Sequence, residues 1–363
     1  MGMPNFMSKY MKDNKAVLAE EELNSGVVKD WIDSGCYIFN ALLSADIYKG
    51  FAANKITCIA GEKATGKSWY CLQAVKAFLN KHPDGMVVYY DSESTLSKQM
   101  LDDRNIPSDR VVIDEVITID EWGTKVKQLL DSYEEEDAKT RIPLMIVLDS
   151  LGQLTTEAEA KNVAEGKNTR DMQKQTIIKK ALRNCTVQSG KLNVPIFITA
   201  HTYKDITAFI PQDVVAGGEA LQYAASSIIT LSKAKDKVGS ELVGNIITCK
   251  AYKSRFTKEG TKVKTRLRFD TGLDRYYGML DLAEAAGIWK KVGTRYEVNG
   301  KMTYGKTIEE NPTEYFTNEV LDKINEYVKQ TFNYGTNSAK TFDSESMTEE
   351  EVGEASDFID DVE

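Results

Sequence analysis

Residues 56–68 read Ile-Thr-Cys-Ile-Ala-Gly-Glu-Lys-Ala-Thr-Gly-Lys-Ser, an apolar run followed by a loop that lies between two glycines and ends in lysine and serine. The loop fits the pattern G-x-x-x-x-G-K-[ST], and an amphipathic stretch typical of a helix follows it. Gly61 and Gly66 allow the backbone to curl so that successive N–H groups point inward, and the helix start adds positive potential. This strand–loop–helix unit therefore predicts a phosphate-binding loop in an α/β domain.

The chemistry of this loop predicts ATP and Mg²⁺ as cofactors. Lys67 is expected to reach the β- and γ-phosphates, and the Ser68 hydroxyl is expected to be a ligand of Mg²⁺. A second acid for the metal should end a neighbouring buried strand, and Asp149 follows the apolar residues 144–148 in this way. The alternative for Asp149 is that it caps a helix. The predicted nucleotide-binding segment is Gly61, Glu62, Lys63, Ala64, Thr65, Gly66, Lys67, Ser68 and Trp69.

Hydrolysis also requires a group that orients or activates water. Residues 87–93 read Val-Val-Tyr-Tyr-Asp-Ser-Glu, so a second strand ends in two carboxylates. We expect Glu93 to be the catalytic group, with Asp91 as the competing candidate. Either carboxylate is also a possible helix cap, and the sequence alone does not decide between these interpretations.

Short apolar runs, rich in Val and Ile, alternate with helix-like stretches through the middle of the chain. Ile178, Ala181, Leu182 and Cys185 have the i, i+3, i+4, i+7 spacing of one buried helix face. This alternation predicts a mostly parallel sheet with helices on both faces. The predicted strands lie at 55–60, 86–90, 111–113, 143–148, 194–200 and 227–231.

The chain divides by pattern into four parts. We expect an N-terminal segment at 1–50 that contacts other subunits, an ATPase core at 51–272 and a small α+β domain at 273–335. The core is expected to end in an antiparallel hairpin formed by residues 242–249 and 261–269, and the small domain to contain a β-ribbon around 296–304. Residues 336–363 are expected to form a disordered acidic tail.

The charge is distributed unevenly along the chain. Its formal net charge is −9 at pH 7, and residues 343–363 hold ten acidic side chains and no basic one, so the remaining residues carry a net +1. Residues 233–268 contain eleven Lys and Arg against three acids. An acidic chain of this kind does not exclude a polyanionic partner. The tail either competes with a polyanionic partner for basic surface or aids solubility, and the sequence does not separate the two.

Composition excludes several other classes of protein. No stretch approaches the roughly 20 apolar residues of a membrane span, and residues 1–20 contain no apolar segment of a secretory signal. The five cysteines form no C-x-x-C pair, which predicts buried thiols in a reducing compartment. With two histidines, a zinc cluster is not expected. These features favour a cytoplasmic location.

The order of motifs resembles that of the RecA-type recombinases, and among them the recombinases of T4-like bacteriophages. The resemblance extends over about residues 35–335. It rests on the phosphate-binding loop and on five segments that follow it: 90–93 (Tyr-Asp-Ser-Glu), 149–152 (Asp-Ser-Leu-Gly), 199–203 (Thr-Ala-His-Thr-Tyr), 217–226 and 269–282.

The resemblance implies roles for individual residues. Glu93 matches the glutamate that activates water, and His201 matches the residue that senses the γ-phosphate. His201 is otherwise an ordinary histidine at a strand end. Lys253 and Arg255 match basic residues that reach the γ-phosphate of a neighbouring subunit, unless they form a solvated basic hairpin. The position of the family's adenine-stacking tyrosine falls on Met100, whose thioether can still pack on a purine.

Two DNA-binding loops are implied, at 152–170 and 202–218. Both are long and lack strand or helix periodicity, which is typical of functional loops, although solvated insertions have the same pattern. Basic side chains can hold phosphates, and an apolar side chain can separate stacked bases. The candidate DNA-binding residues are Lys161, Lys167, Asn168, Arg170, Lys204, Phe209, Ile210, Gly217 and Gly218.

The resemblance implies an ATP-dependent recombinase for DNA recombination, repair and replication. Its expected partners are single-stranded DNA, homologous duplex DNA, further copies of itself in a helical filament, a single-strand-binding protein and a loading mediator, with no membrane. One alternative is a hexameric DNA helicase-like motor on the same core. A second is a non-catalytic recombination mediator that retains the phosphate loop as a switch, against which the intact Lys67, Ser68, Asp149 and Glu93 argue.

Overall fold

The computed structural model of this protein describes residues 4–14, 26–166, 171–205 and 212–335. Among these residues, no helix is both long and apolar enough to cross a membrane. All five cysteines are buried and unpaired, as the spacing predicted.

The described residues form an alternating series of strands and helices. The strands are β1 (Trp31–Ile32), β2 (Phe51–Ala52), β3 (Ile56–Gly61), β4 (Met86–Asp91), β5 (Val111–Glu115), β6 (Leu144–Asp149), β7 (Ile196–Asp205), β8 (Gln212–Val215), β9 (Ser227–Val238), β10 (Glu241–Ser254), β11 (Lys262–Arg268), β12 (Gly272–Leu273), β13 (Lys290–Val292), β14 (Arg295–Val298) and β15 (Lys301–Tyr304). The helices are α1 (Asn5–Asn14), α2 (Tyr37–Ser44), α3 (Lys67–Lys81), α4 (Lys98–Asp102), α5 (Ile119–Glu135), α6 (Glu157–Ala164), α7 (Lys174–Leu192), α8 (Gly218–Ala224), α9 (Met279–Ala285), α10 (Gly305–Glu310), α11 (Pro312–Tyr315) and α12 (Asn318–Phe332).

The largest sheet has the order β12-β11-β10-β9-β3-β7-β6-β4-β5, and β8 pairs with β7. The pairings from β9 through β3, β7, β6 and β4 to β5 are parallel, whereas those from β9 to β12 are antiparallel. Every residue of β3 and β6 is buried, which explains why these strands are almost continuously apolar. The mostly parallel sheet predicted from the sequence is confirmed.

Two apolar cores lie on opposite faces of this sheet. One contains the buried faces of α2, α3 and α9 together with α12. The other contains α5, α7 and α8. Ile178, Leu182 and Cys185 of α7 are each at most 3% exposed, so the buried helix face is where the spacing predicted it. Helices therefore cover both faces of the sheet.

The two ends of the described chain pack differently against this body. Within the predicted N-terminal segment, α1 exposes Phe6 and Tyr10, whereas α2 is buried. At the C-terminal end, β13, β14 and β15 form a small antiparallel sheet that contains the predicted ribbon. The Asn325 side chain of α12 accepts a hydrogen bond from the backbone N–H of Ile47 at 2.8 Å, which joins the last helix to the body.

The expectation that 152–170 and 202–218 are irregular is wrong for part of each segment. Thr156 and Glu159 form a reciprocal capping box, which nucleates α6 despite its weak apolar periodicity. In the second segment, β7 continues to Asp205 and forms an antiparallel hairpin with β8. Residues 167–170 and 206–211 of these segments lie outside the described residues.

Candidate functional site

The phosphate-loop sequence lies between β3 and α3, in a tightly closed conformation. At Gly61, an added Cβ atom would lie 2.6 Å from the Thr65 hydroxyl oxygen and 2.9 Å from the Leu231 carbonyl oxygen. Gly66 has a φ of +95°, which is a conformation that side chains disfavour. Both glycines are therefore required by the local backbone, and Ser68 and Trp69 follow in the first turn of α3.

Lys67 is 8% exposed and extends across this loop. Its ammonium group donates hydrogen bonds to the carbonyl oxygens of Gly61 at 3.0 Å and Glu62 at 2.9 Å. Burial lowers the pKa of Lys67, while the carboxylates of Asp149 and Glu93 oppose that shift. Lys67 thus supplies the loop with a positive charge that is largely shielded from water.

Four parallel strands bring further polar residues to the same edge of the sheet. The register pairs Gly61 of β3 with His201 of β7, and Asp91 of β4 with Asp149 of β6. Because parallel strands end on the same side, residues far apart in sequence are neighbours here. The structure therefore brings the predicted Lys67, Asp149 and His201 into one region.

The two competing carboxylates of β4 have different environments. Asp91 is 2% exposed and accepts hydrogen bonds from the backbone N–H groups of Glu93 at 2.9 Å, Thr95 at 2.8 Å and Leu96 at 2.8 Å. Its carboxylate therefore holds the turn after β4. Glu93 instead accepts a hydrogen bond from the Ser150 hydroxyl at 3.0 Å and lies 3.4 Å from the His201 Nε2 atom. The geometry favours Glu93 as the reactive carboxylate.

Asp149 is 4% exposed and is held by two hydroxyl groups that the sequence analysis did not identify. The Tyr89 hydroxyl donates to its Oδ2 atom at 2.7 Å, and the Thr199 hydroxyl donates to Oδ1. Burial, with the nearby Cys71 and Asp149, raises the pKa of Tyr89 well above its ordinary value. The sequence offered little sign of these roles, since Tyr89 in β4 and Thr199 in β7 stand out from their apolar neighbours only by a hydroxyl group.

His201 connects this region to the segment before α8. Its ring lies 3.5 Å from the Gln153 side-chain nitrogen, and its backbone carbonyl accepts a hydrogen bond from Ala216 N–H at 2.8 Å. Gly217 and Gly218 follow with φ values of +101° and +59°. An added Cβ atom would lie 2.7 Å from Leu151 at the first glycine and 2.9 Å from Gln175 at the second.

The predicted trans residues contact α8 within this chain. The Lys253 ammonium group donates to the carbonyl oxygens of Gln222 and, at 2.8 Å, of Ala225. The Arg255 guanidinium group donates to the Tyr223 carbonyl oxygen at 3.3 Å. Burial and the charge of Arg255 lower the pKa of Lys253. Both cations therefore stabilise the carboxyl end of α8, which carries negative potential.

A cavity of about 550 Å³ lies beside α3, within reach of the phosphate loop. Trp69 lines it, and an added Cβ atom at Gly272 would lie 2.8 Å from the indole ring. Arg104 and Asn105 also line the cavity and were not identified from sequence. Met100 is half-buried in α4 and is not among the side chains that line this cavity. The expectation that Met100 packs on the base stays a prediction.

The remaining DNA-binding candidates are only partly described. Lys161 is exposed on α6, and Lys204 is exposed near the end of β7. The other candidates in these segments lie outside the described residues: Lys167, Asn168, Arg170, Phe209 and Ile210. The basic region at 233–268 is divided between the two faces of the sheet. On β9, Lys233, Lys235 and Lys237 lie on the same face as the buried Leu231. On β11, Lys262 and Lys264 alternate with buried residues of that face and therefore lie on the opposite face.

Comparisons with known proteins agree with this arrangement. The family model described as "AAA domain" matches residues 53–166, which contain the phosphate loop and β6. The recombination and repair protein of Enterobacteria phage T4 is 27% identical over 287 residues, covering 78% of this chain and 72% of that protein. Protein RecA of Mycoplasmopsis pulmonis is 25% identical, covering 75% of this chain and 76% of that protein.

Protein RecA of a Nocardioides species is also 25% identical, over 76% of this chain and 77% of that protein. The likeness to the UvsX recombinase of T4-like phages, inferred from the motif order, is thereby confirmed. Over about three quarters of its length, this nucleotide-hydrolysing P-loop chain is related to the RecA-type recombination and repair proteins.

Proposed function

We propose that this chain is an ATP-dependent DNA recombinase, which forms helical filaments on single-stranded DNA and catalyses homologous pairing and strand exchange. The observation that carries the proposal is that Lys67, Glu93, Asp149 and His201 lie together, and that the backbone of His201 is hydrogen-bonded to the segment leading to Gly217. A nucleotide site and a candidate DNA segment therefore share one strand, β7.

The residues present fit a nucleotide triphosphate with Mg²⁺. The loop between Gly61 and Gly66 has the compact backbone of a phosphate loop, since a Cβ atom at Gly61 would clash with Thr65 and Leu231, and Lys67 supplies a buried positive charge. Ser68 and Asp149 are the residues that would hold the metal, which neutralises phosphate charge when it is bound. The cavity beside Trp69 is the proposed place of the base.

In the proposed reaction, Glu93 accepts a proton from the water that attacks the γ-phosphorus of ATP, while the bond to the β-phosphate oxygen breaks and ADP leaves. Ser150 and His201 hold its carboxylate in one orientation, and Asp91 fixes the turn on which Glu93 lies. Lys67 stabilises the charge that develops on the phosphate oxygens. His201 would report the state of the site to the segment at 212–218, because Ala216 is hydrogen-bonded to its backbone.

The DNA-binding part of the proposal rests on the segments after β6 and β7. Lys161 and Lys204 would hold backbone phosphates, and Gly217 and Gly218 would allow close approach of a strand. Lys167, Asn168, Arg170, Phe209 and Ile210 complete the proposed surface from outside the described residues. The proposed partners also include homologous duplex DNA, a single-strand-binding protein and a loading mediator in the cytoplasm.

The proposal is tested by measuring ATP hydrolysis with and without single-stranded DNA, with negative-stain imaging of the same samples. We expect DNA to stimulate hydrolysis at least about tenfold and to be coated by helical filaments, because the nucleotide and DNA segments share β7. Joint-molecule formation between the coated strand and a homologous duplex then measures pairing directly. Hydrolysis that is independent of DNA, together with closed rings, would instead support a helicase-like motor.

A second prediction concerns Lys253 and Arg255, which we propose to reach the γ-phosphate of a neighbouring subunit. Replacing both by alanine should lower DNA-stimulated hydrolysis by about 10³-fold, the size of the effect of an arginine finger. Mixing this double variant with the Lys67→Ala variant should restore part of the activity, since each supplies what the other lacks. ATP hydrolysis in the mixture measures this complementation.

The control for charge is the Lys290→Ala/Lys291→Ala variant in the small sheet, which should hydrolyse ATP at the unmodified rate. Loss of the hydrogen bonds to the end of α8 could also lower activity within one subunit. In that case the mixture would remain inactive, and the proposed contact between subunits would be wrong.

A further inference from the structure

The carboxylate of Asp149 lies between two buried hydroxyl groups from the strands on either side of β6. Tyr89 of β4 is 2% exposed, and Thr199 of β7 is completely buried. Tyr89 donates to one carboxylate oxygen at 2.7 Å, and Thr199 donates to the other. Each oxygen therefore has a hydrogen bond from a side chain that cannot turn towards water.

The sheet register places all three side chains on one face. Tyr89 pairs with Val147, two residues before Asp149, and Ile198 pairs with Leu148, so Thr199 is level with Asp149. Side chains alternate along a strand, which puts Tyr89, Asp149 and Thr199 on the same face. Because β4 and β7 lie on the two sides of β6, the two hydroxyl groups approach the carboxylate from opposite sides. This arrangement prevents rotation of the carboxylate about its terminal bond in either direction.

Lys67 does not compete for this carboxylate in the structure. Its ammonium group donates to the carbonyl oxygens of Gly61 and Glu62, and no ion pair between Lys67 and Asp149 lies within 4.0 Å among the described residues. The hydroxyl groups of Tyr89 and Thr199 are therefore the side-chain contacts that orient Asp149. A carboxylate fixed in this way is prepared for a cation before the cation arrives.

We propose that Tyr89 and Thr199 are positioning residues that orient Asp149 for the divalent cation bound together with the nucleotide. The inference rests on the proposed function, since it concerns the metal of the same site. Its consequence is specific. Loss of either hydroxyl should weaken the contribution of the metal to nucleotide binding without weakening the contribution of the phosphate loop, which lies on β3 and α3.

The test uses the full chain and ADP, with affinity measured once in excess Mg²⁺ and once in EDTA. For Tyr89→Phe and for Thr199→Val, we expect affinity in EDTA to stay within about twofold of the unmodified chain. Affinity in Mg²⁺ should fall by about threefold to tenfold, which corresponds to the net contribution of one ordinary hydrogen bond. Mn²⁺ binding in the presence of ADP, followed by electron paramagnetic resonance, should weaken in parallel.

Two controls separate positioning from packing. Tyr90→Phe removes a hydroxyl from an equally buried tyrosine on the opposite face of β4, and it should leave both affinities unchanged. Thr199→Ser keeps the hydroxyl and should restore the Mg²⁺-dependent affinity that Thr199→Val loses. If Thr199→Val does not fold, as judged by its melting temperature, Tyr89→Phe alone decides the question.

The possible failures are distinguishable. If Mg²⁺ strengthens ADP binding to the unmodified chain and to both variants by the same factor, the positioning role is wrong and the proposed metal site stands. If Mg²⁺ has no effect on the unmodified chain, the metal site of the proposed function fails, and this inference fails with it. Equal losses in Mg²⁺ and EDTA would also overturn the inference, since they indicate damage to the phosphate loop.

Discussion

Replacing Lys67 by alanine is expected to lower the rate of ATP hydrolysis by about 10²–10³-fold, the usual effect of removing one charge-stabilising donor. The physical reason is the burial of this ammonium group inside the loop, where its field is weakly screened. Steady-state phosphate release in the presence of single-stranded DNA measures the effect.

The fold should survive this change. Both hydrogen bonds of the Lys67 ammonium group are to carbonyl oxygens of the loop itself, at Gly61 and Glu62, so the change does not remove a contact that joins the loop to other elements. We expect a melting temperature within a few degrees of the unmodified chain. Lys180→Ala, at an exposed position of α7 outside the loop, is the control and should retain activity. Retention of more than a tenth of the activity by Lys67→Ala would refute the assignment of the phosphate site.

The paired variants Glu93→Gln and Asp91→Asn should separate a chemical role from a structural one. Glu93→Gln removes a proton acceptor and should lower the maximal rate by about 10²–10⁴-fold, the contribution of a general base. Nucleotide affinity should remain, because Glu93 makes no hydrogen bond to the phosphate loop among the described contacts. Single-turnover hydrolysis and equilibrium binding of ATP measure the two quantities.

Asp91→Asn should act mainly on stability. Its carboxylate accepts three backbone N–H groups, and asparagine retains one acceptor oxygen, so buried donors would lose their partner. The expected cost is about 1–3 kcal/mol of unfolding free energy, measured by denaturant unfolding. The reverse pattern, with Glu93→Gln less stable and Asp91→Asn folded but inactive, would make Asp91 the reactive carboxylate.

The phosphate loop and the layered fold could be predicted from local sequence. The loop is continuous in the chain, and its conformation depends on Gly61 and Gly66, whose special backbone requirements are visible as residue types. The strands beside it are apolar because both faces of the sheet are covered. The expectation that a second metal-binding acid ends a neighbouring buried strand placed Asp149 near Lys67, whereas His201 was implied by the resemblance to the RecA-type recombinases.

The two long segments after β6 and β7 could not be described correctly in this way. The helix α6 depends on the reciprocal hydrogen bonds of Thr156 and Glu159 more than on an apolar face, so periodicity did not reveal it. The antiparallel pairing of β7 with β8 joins residues on either side of positions 206–211. Both are cases in which backbone hydrogen bonding, rather than burial, determines the element.

The sequence by itself determined the order of the functional groups along the chain, on a mostly parallel sheet. These groups are a phosphate loop, acids at the ends of β4 and β6, and a histidine on β7. Only the tertiary structure showed that Asp91 and Glu93 have different environments, because these depend on where three backbone N–H groups point. It alone placed Lys253 and Arg255 against the end of α8, and Tyr89 and Thr199 against Asp149. These contacts join residues 28 to 60 positions apart, and their partners depend on strand register, which residue types do not specify.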